Sequence, residues 1–181
     1  MSSQRLRPVV FIDTETTGLD ESVAEIIEIA IVRFSSVSQF VETGCYESKV
    51  IMQNPLAAHP RALEVNGYTP ERWKDAKEPG VVLDEIAPFL AGKPYLIGHN
   101  IGFDMKFLRE MYRRADRKMP STDYHTVDTV TLAWPAFVAG HIDGVSLEKV
   151  CNHLGISNDG AHAAMADIRR TIAAYRRLAA A

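Results

Sequence analysis

The sequence has few of the features that mark secreted, membrane or nucleic-acid-coating proteins. Its only two cysteines, Cys45 and Cys151, favour reduced thiols in a cytoplasmic protein over a disulfide or a metal site. No apolar run approaches the ~20 residues that span a bilayer, and the N-terminus lacks the apolar segment of a secretory signal. The net charge of −3 argues against a strongly basic coat protein. It does not exclude nucleic acid, because a carboxylate site gains positive charge when it binds metal ions.

The 181 residues fit a single domain, and no repeat, low-complexity tract or long linker divides them. We predict one domain over residues 1–181, with a motif-bearing core at about 8–178. The first half is typical of strands and the second half of helices around short strands, which predicts an α/β layered fold. Strands are predicted at 9–13, 26–34, about 40–52 and 94–98, and helices near 70–75 and at 79–90, 103–114, 146–154 and 163–178.

The segment VVFIDTETTGL, at residues 9–19, ends an apolar run in two carboxylates. Side chains two residues apart share a face of a strand, so Asp13 and Glu15 continue the face that begins with Val9 and Phe11. Isolated buried charges are costly, and this pair must be solvated, protonated or bound to cations. From this segment alone two interpretations stay open. Either the strand enters solvent at Asp13, or both acids face one bound cation.

Two predicted helices each carry one more acid at or beside an apolar face. Asp104 lies in line with the predicted buried face of its helix, which contains Phe107, Leu108 and Met111. An acid in a first turn also complements the helix dipole, but the dipole does not explain a position on the apolar face. Asp167 lies at the edge of the packed face of the last helix. His162, five residues earlier, is predicted at the start of that helix or on the preceding loop.

If the acids of these three elements converge, they form an oxygen-rich site of high negative charge. Mg²⁺ and Mn²⁺ suit such a site, because carboxylate oxygens are their preferred ligands. Two such ions ~3.5–4 Å apart can stabilise the attacking and leaving oxygens of a phosphodiester displacement. A nearby histidine such as His162 can take a proton from the attacking water near neutral pH.

Three motifs resemble, in order, those of the DEDDh family of 3′–5′ exonucleases, also called the DnaQ-like or RNase T family. Members of this family include proofreading subunits of replicative DNA polymerases, RNase T and oligoribonucleases. The motifs are DTETTGL at 13–19, HNIGFD at 99–104 and HAAMAD at 162–167. A histidine separated from the last aspartate by four intervening residues distinguishes this branch from its tyrosine-containing sister branch. The resemblance covers about 9–178, nearly the whole chain.

The resemblance implies an RNase H-like fold with a central five-stranded mixed sheet, of which the first three strands are antiparallel. It implies two divalent ions, Mg²⁺ or Mn²⁺, with His162 as general base. The implied metal ligands, which are also catalytic residues, are Asp13, Glu15, Asp104 and Asp167. The implied substrate-binding residues are Thr16, Thr17, Gly18, Leu19, His99 and Asn100.

The implied activity is hydrolysis of single-stranded DNA or RNA from the 3′ end, releasing nucleoside 5′-monophosphates, with DNA favoured. Two alternatives remain: a catalytically weak nucleic-acid-binding or proofreading subunit of a DNA polymerase, and a nuclease that cuts internally. The chain ends at Ala181 without a C-terminal polymerase tether, so we expect a free-standing enzyme, with a polymerase partner or a homodimer left open.

Several other charged residues are interpreted as structural. Glu28 and Asp128 are expected to accept hydrogen bonds near the site rather than to bind metal. Most of the arginine pairs, which include Arg169–Arg170, are interpreted as solvated helix faces.

Overall fold

The computed structural model describes residues 6–159 and 162–179, and it is built on one mixed sheet in the order β3-β2-β1-β4-β5. The strands are β1 (Val9–Thr16), β2 (Ile26–Phe34), β3 (Glu42–Lys49), β4 (Tyr95–Gly98) and β5 (Thr126–Asp128). The first three strands are antiparallel, whereas β4 runs parallel to β1 and to β5. The predicted five-stranded mixed sheet is confirmed. The ends of the predicted domain 1–181 lie outside the described residues, and its extent stays a prediction.

Helices cover both faces of this sheet. They are α1 (Pro60–Val65), α2 (Pro79–Ile86), α3 (Ile101–Arg114), α4 (Thr129–Val138), α5 (Leu147–Leu154) and α6 (Ala164–Leu178). Because side chains alternate across β1, Val10 and Ile12 join the core formed with α2 and α3, while Val9 and Phe11 pack against α6. The helices α4 and α5 pack in turn on α6. No helix among the described residues is long and apolar enough to span a membrane.

The junction between β4 and α3 brings α3 close to β1. A Cβ added at Gly98 would lie 2.8 Å from Cδ1 of Ile101 and 3.2 Å from the carbonyl oxygen of Ile12. Neither neighbour leaves room for a side chain, so glycine permits the close approach. As a result, the first turn of α3, which carries Asp104, lies beside the end of β1 that carries Asp13.

The structure extends two elements beyond their predicted bounds. β1 continues to Thr16, and α3 begins at Ile101. Glu15 pairs with Glu28 of β2, which places both β1 acids inside the sheet. The interpretation in which β1 enters solvent at Asp13 is therefore wrong.

Other predicted bounds are wrong for local reasons. β3 covers Glu42–Lys49 rather than 40–52, and Phe40 has a φ of 49°, which no strand allows. The predicted helix at 70–75 is instead a run of turns. The Trp73 indole holds this segment against the sheet by donating a hydrogen bond to the carbonyl of Ile27 at 2.8 Å. α2 ends at Ile86 rather than at 90. Ala87 still has helical backbone, but Pro88 has no N–H to donate to Asp84, so the helical hydrogen-bond ladder stops there.

One predicted helix has the expected caps. Ser146 accepts a hydrogen bond from the backbone N–H of Lys149, and Gly155 ends α5 with a φ of 64°.

The elements α1, α4 and β5 were not predicted. α1 lies within the connection between β3 and α2 and forms one wall of the cleft described below.

Candidate active site

The end of β1 contributes two carboxylates to one face of the sheet. Asp13 and Glu15 lie on the face that packs against α6, with Ala30 and Glu28 as their partners in β2. Both side chains are partly buried. The alternation that buries Val9 and Phe11 therefore also directs these two acids towards α6.

Asp104 reaches the same end of β1 from the opposite face. It lies in the first turn of α3 and is only 4% exposed. The hydroxyl of Thr14 donates to its Oδ1 at 2.8 Å. The predicted position of Asp104 on the buried face of its helix is confirmed. Thr14, which lies between Asp13 and Glu15 in β1, holds it there.

α6 supplies the remaining acid, and the chain just before it supplies the histidine. Glu15, His162 and Asp167 each offer a ligand atom within 4.8 Å of the others. Asp167 is in the first turn of α6, and His162 is exposed just before it with a φ of 65°. The left-handed conformation of His162 turns its side chain back towards Asp167, which helical spacing alone would not allow.

Burial and mutual repulsion raise the pKa values of these acids. Burial, followed by the charges of Asp167 and Glu28, raises the pKa of Glu15 to about 8. Burial and then the charges of Asp104, Glu15 and Asp167 hold the pKa of Asp13 well above its ordinary value. The pKa of Asp104 is also raised, mainly by burial. Such clustered acids are stabilised by cations, so the donor set fits hard divalent ions.

Two acids outside the cluster position its surroundings. Glu28 is 3% exposed and accepts a hydrogen bond at 3.3 Å from the backbone N–H of Ala164, where α6 begins. Asp128 accepts hydrogen bonds at 2.9 Å from the backbone N–H groups of Asn100 and Val130. Both therefore act as hydrogen-bond acceptors near the site, as expected from the sequence.

His99 and Asn100 lie at the junction of β4 and α3. Nδ1 of His99 is 2.9 Å from Oγ1 of Thr129 at the start of α4, and burial lowers the pKa of His99. Asn100 is exposed and has a φ of 64°. The role of both residues in substrate binding stays a prediction.

A cleft of about 670 Å³ opens next to Glu15. Its lining includes Gly18 and Leu19 of the β1–β2 connection, Asn66 at the end of α1 and Phe103 of α3. Leu19 lies at the rim of this cleft and is 81% exposed. The volume is in the range of small-molecule sites.

The predicted substrate-binding threonines are buried beneath this cleft. The Thr16 hydroxyl donates to the carbonyl of Gly18 at 2.7 Å, and the Thr17 hydroxyl accepts from the backbone N–H of Glu25 at 2.8 Å. These bonds shape the turn that presents Leu19. The predicted contacts of Thr16, Thr17, Gly18 and Leu19 with substrate stay predictions.

One residue of the site was missed by sequence reasoning. Arg170, on α6, is 7% exposed and its guanidinium donates to Oδ1 of Asp167. The sequence gave one signal for this contact: Asp167 and Arg170 are three residues apart, and residues at that spacing lie on the same side of a helix. The apolar pattern gave no sign that this arginine is buried while Arg169 is exposed.

Comparison with known proteins agrees with the fold and the motifs. Residues 10–175 match the family RNase_T, described as exonuclease. The chain is 33% identical over 164 residues to a PolC-type DNA polymerase III of Oceanobacillus iheyensis, with 90% of this chain and 11% of the relative covered. It is 33% identical over 177 residues to a DNA polymerase III subunit epsilon-like protein of Rhodobacter capsulatus, with 96% and 24% covered. The chain thus spans a quarter or less of the length of these curated relatives.

Among solved structures, E. coli Exonuclease I in complex with a dT13 oligonucleotide superposes with a TM-score of 0.77. The two are 22% identical, and the alignment covers 96% of this chain and 43% of that one. At this identity the likeness establishes a shared fold. The family match over residues 10–175 settles the classification: the chain belongs to the RNase_T family of exonucleases.

Proposed function

We propose that this protein removes nucleotides one at a time from the 3′ end of single-stranded DNA, using two divalent cations and releasing nucleoside 5′-monophosphates. The observation that carries the proposal is the convergence of Glu15, His162 and Asp167 within 4.8 Å of one another. The partly buried Asp13 and the buried Asp104 interact electrostatically with this group.

The donor set supports Mg²⁺ or Mn²⁺ as cofactor. Glu15, Asp13 and Asp167 would hold one ion, and Asp13 with Asp104 would hold the second. When bound, these ions supply a more acidic water and neutralise charge on the phosphate. The acids of this chain would hold the ions, and His162, which is exposed, would accept the proton of the attacking water.

The cleft beside Glu15 supports attack at a strand end. It would take the terminal nucleoside, with Phe103 as an apolar surface for the base and Leu19 at its rim against the next base. A cleft that accepts one terminal nucleoside favours release of single nucleotides over internal cutting. The scissile phosphate would then lie at Glu15, where the cleft meets the acids.

The preference for DNA and the polymerase context rest on relatives. The two curated relatives are named as DNA polymerase III proteins, and the Exonuclease I structure contains a DNA oligonucleotide. A proofreading role beside a polymerase is the second candidate, favoured by those names. The two candidates differ in the activity of the isolated chain: a free-standing exonuclease is active alone, whereas a proofreading subunit needs its polymerase.

The test is digestion of a 5′-labelled single-stranded DNA and an RNA of the same sequence, in Mn²⁺, Mg²⁺ or EDTA. We expect a ladder that shortens from the 3′ end, only with metal, and faster on DNA. Internal fragments would overturn the exonuclease assignment. No cleavage by the isolated chain, with activity restored by an added polymerase, would favour the proofreading subunit.

A further inference from the structure

Arg170 is a buried cation in the wall of the candidate site. It lies on α6 one turn after Asp167, and its side chain is 8% exposed. One terminal nitrogen donates to Oδ1 of Asp167, and the other donates to Oδ1 of Asn158 at 2.7 Å. Its Nε has no hydrogen-bond partner among the described residues. A buried guanidinium is costly without compensation, so this arginine depends on nearby negative charge.

That negative charge comes from the acidic cluster. Arg170 donates to Oδ1 of Asp167, and Asp167 and Glu15 belong to a group whose ligand atoms lie within 4.8 Å of one another. Arg170 therefore lies close to a carboxylate of β1 as well as to that of Asp167. It partly offsets repulsion among carboxylates that come from different elements.

Arg170 also connects α6 to the loop that precedes His162. Asn158, its second acceptor, donates in turn to Oδ1 of Asn152 on α5 at 2.7 Å. The neighbouring Ser157 and Asp159 hydrogen-bond to each other at 2.7 Å. A single guanidinium thus links Asp167 to an ordered turn a few residues before His162.

We propose that Arg170 is the internal counter-ion of this site: it holds Asp167 in position and offsets the repulsion of the acids when no divalent cation is bound. The inference rests on the proposed function, because it assumes that divalent cations take over this role in the loaded enzyme. Arg170 is a positioning residue, since it acts through Asp167 and the loop at Asn158.

The counter-ion role and simple packing predict different metal dependence. If Arg170 balances charge, its loss destabilises the metal-free protein most, and bound cations restore much of the stability. If Arg170 only fills space between α5 and α6, its loss destabilises the protein equally with and without metal.

The experiment is thermal unfolding at pH 8 of wild type, Arg170→Met and Arg170→Lys, each in EDTA and in saturating Mn²⁺. We expect Arg170→Met to lower Tm by about 5 °C or more in EDTA, since ~1 kcal/mol corresponds to ~2–4 °C at this size. In Mn²⁺ the loss should be less than half as large. Arg170→Lys, which keeps the charge, should recover most of the loss in EDTA.

The matched control is Arg169→Met, which removes the neighbouring arginine and its exposed pair with Glu42. Its small effect should be the same in both buffers. Equal Tm losses for Arg170→Met in both buffers, failure of that variant to fold in both, or no recovery with Arg170→Lys would overturn the counter-ion role. The wild-type nuclease assay run in parallel keeps the two proposals separate: absent cleavage counts against the proposed function, whereas the Tm comparison alone decides the role of Arg170.

Discussion

Thr14 donates a hydrogen bond to Asp104 at 2.8 Å from the face of β1 opposite to Asp13. The strand therefore contributes to the site from both faces. Asp13 and Glu15 face α6 directly, and Thr14 holds the acid that α3 supplies. This arrangement explains how one strand end collects acids from three elements.

Replacing Thr14 with valine should impair the site without unfolding the protein. The substitution keeps the shape of the side chain but removes the hydrogen bond that lowers the pKa of Asp104. Hydrogen bonds to charged groups contribute ~1.5–3 kcal/mol, so we expect turnover to fall by about tenfold to a hundredfold. The measurement is kcat as a function of Mn²⁺ concentration. Thr131→Val, at an exposed position of α4, is the control, and equal kcat values for both variants would contradict the role of Thr14.

Asp13→Asn should abolish turnover and, in EDTA, stabilise the protein. The amide cannot supply the charge that a divalent ion needs, but it removes one member of a repelling buried cluster. We expect a higher Tm than wild type in EDTA at pH 8 and no detectable cleavage in Mn²⁺. Asp75→Asn, at an exposed aspartate, should change neither quantity. A variant with full activity would remove Asp13 from the metal ligands.

His162→Gln should slow cleavage by ~10²–10⁴ while the protein still binds metal. The glutamine keeps polar volume but cannot accept the proton of the attacking water. Single-turnover rates and Mn²⁺ titration by electron paramagnetic resonance separate the two effects. Loss of Mn²⁺ binding with no further defect at saturating metal would assign His162 to metal binding instead of proton transfer.

The stability of the metal-free protein should fall as pH rises. The pKa of Glu15 is raised from 4.5 to about 8 in the folded state, so folding favours its protonated form. That contribution is fully present below pH ~4.5 and is lost as pH rises through about 8. We expect Tm in EDTA to decline from pH 5 to pH 8, and the decline to shrink with saturating Mg²⁺. An identical pH profile in both buffers would show that these acids do not bind the metal.

Lys106→Met should disturb the rim of the cleft without touching the acids. The Lys106 ammonium donates to the carbonyl of Leu19 at 3.0 Å and pairs with Glu21 at 3.0 Å, which holds the β1–β2 connection against α3. We expect KM for single-stranded DNA to rise by about threefold, as for a surface contact, with kcat and Mn²⁺ affinity unchanged. Arg109→Met, exposed on the same helix, is the control. A fall in kcat alone would contradict this role.

The sequence predicted the parts of the molecule that depend on local pattern. β2 has its predicted bounds, and α5 begins after Ser146 and ends at Gly155 as these two capping residues predicted. Asp104 lies on the buried face that its helical spacing indicated. The number of strands in the mixed sheet came from resemblance to the exonucleases, because strand pairing across the chain has no local signature.

The missed features depend on tertiary contacts or on weak local signals. β5 has three residues, too few for a visible alternation. α4 contains β-branched residues and Pro135, which lower helix propensity, and it is stabilised by the Asp128 cap and by packing on α6. Arg170 is buried because Asp167 and Asn158 accept its hydrogen bonds, and neither contact is visible in a helical pattern.

The most direct test of the account is a crystal structure with Mn²⁺ and a nucleoside 5′-monophosphate, with anomalous data collected at the manganese edge. We expect anomalous peaks bound by Glu15, Asp167 and Asp13, and the base in the cleft between Leu19 and Phe103. Manganese bound only elsewhere on the molecule, at concentrations that support cleavage, would contradict the central claim.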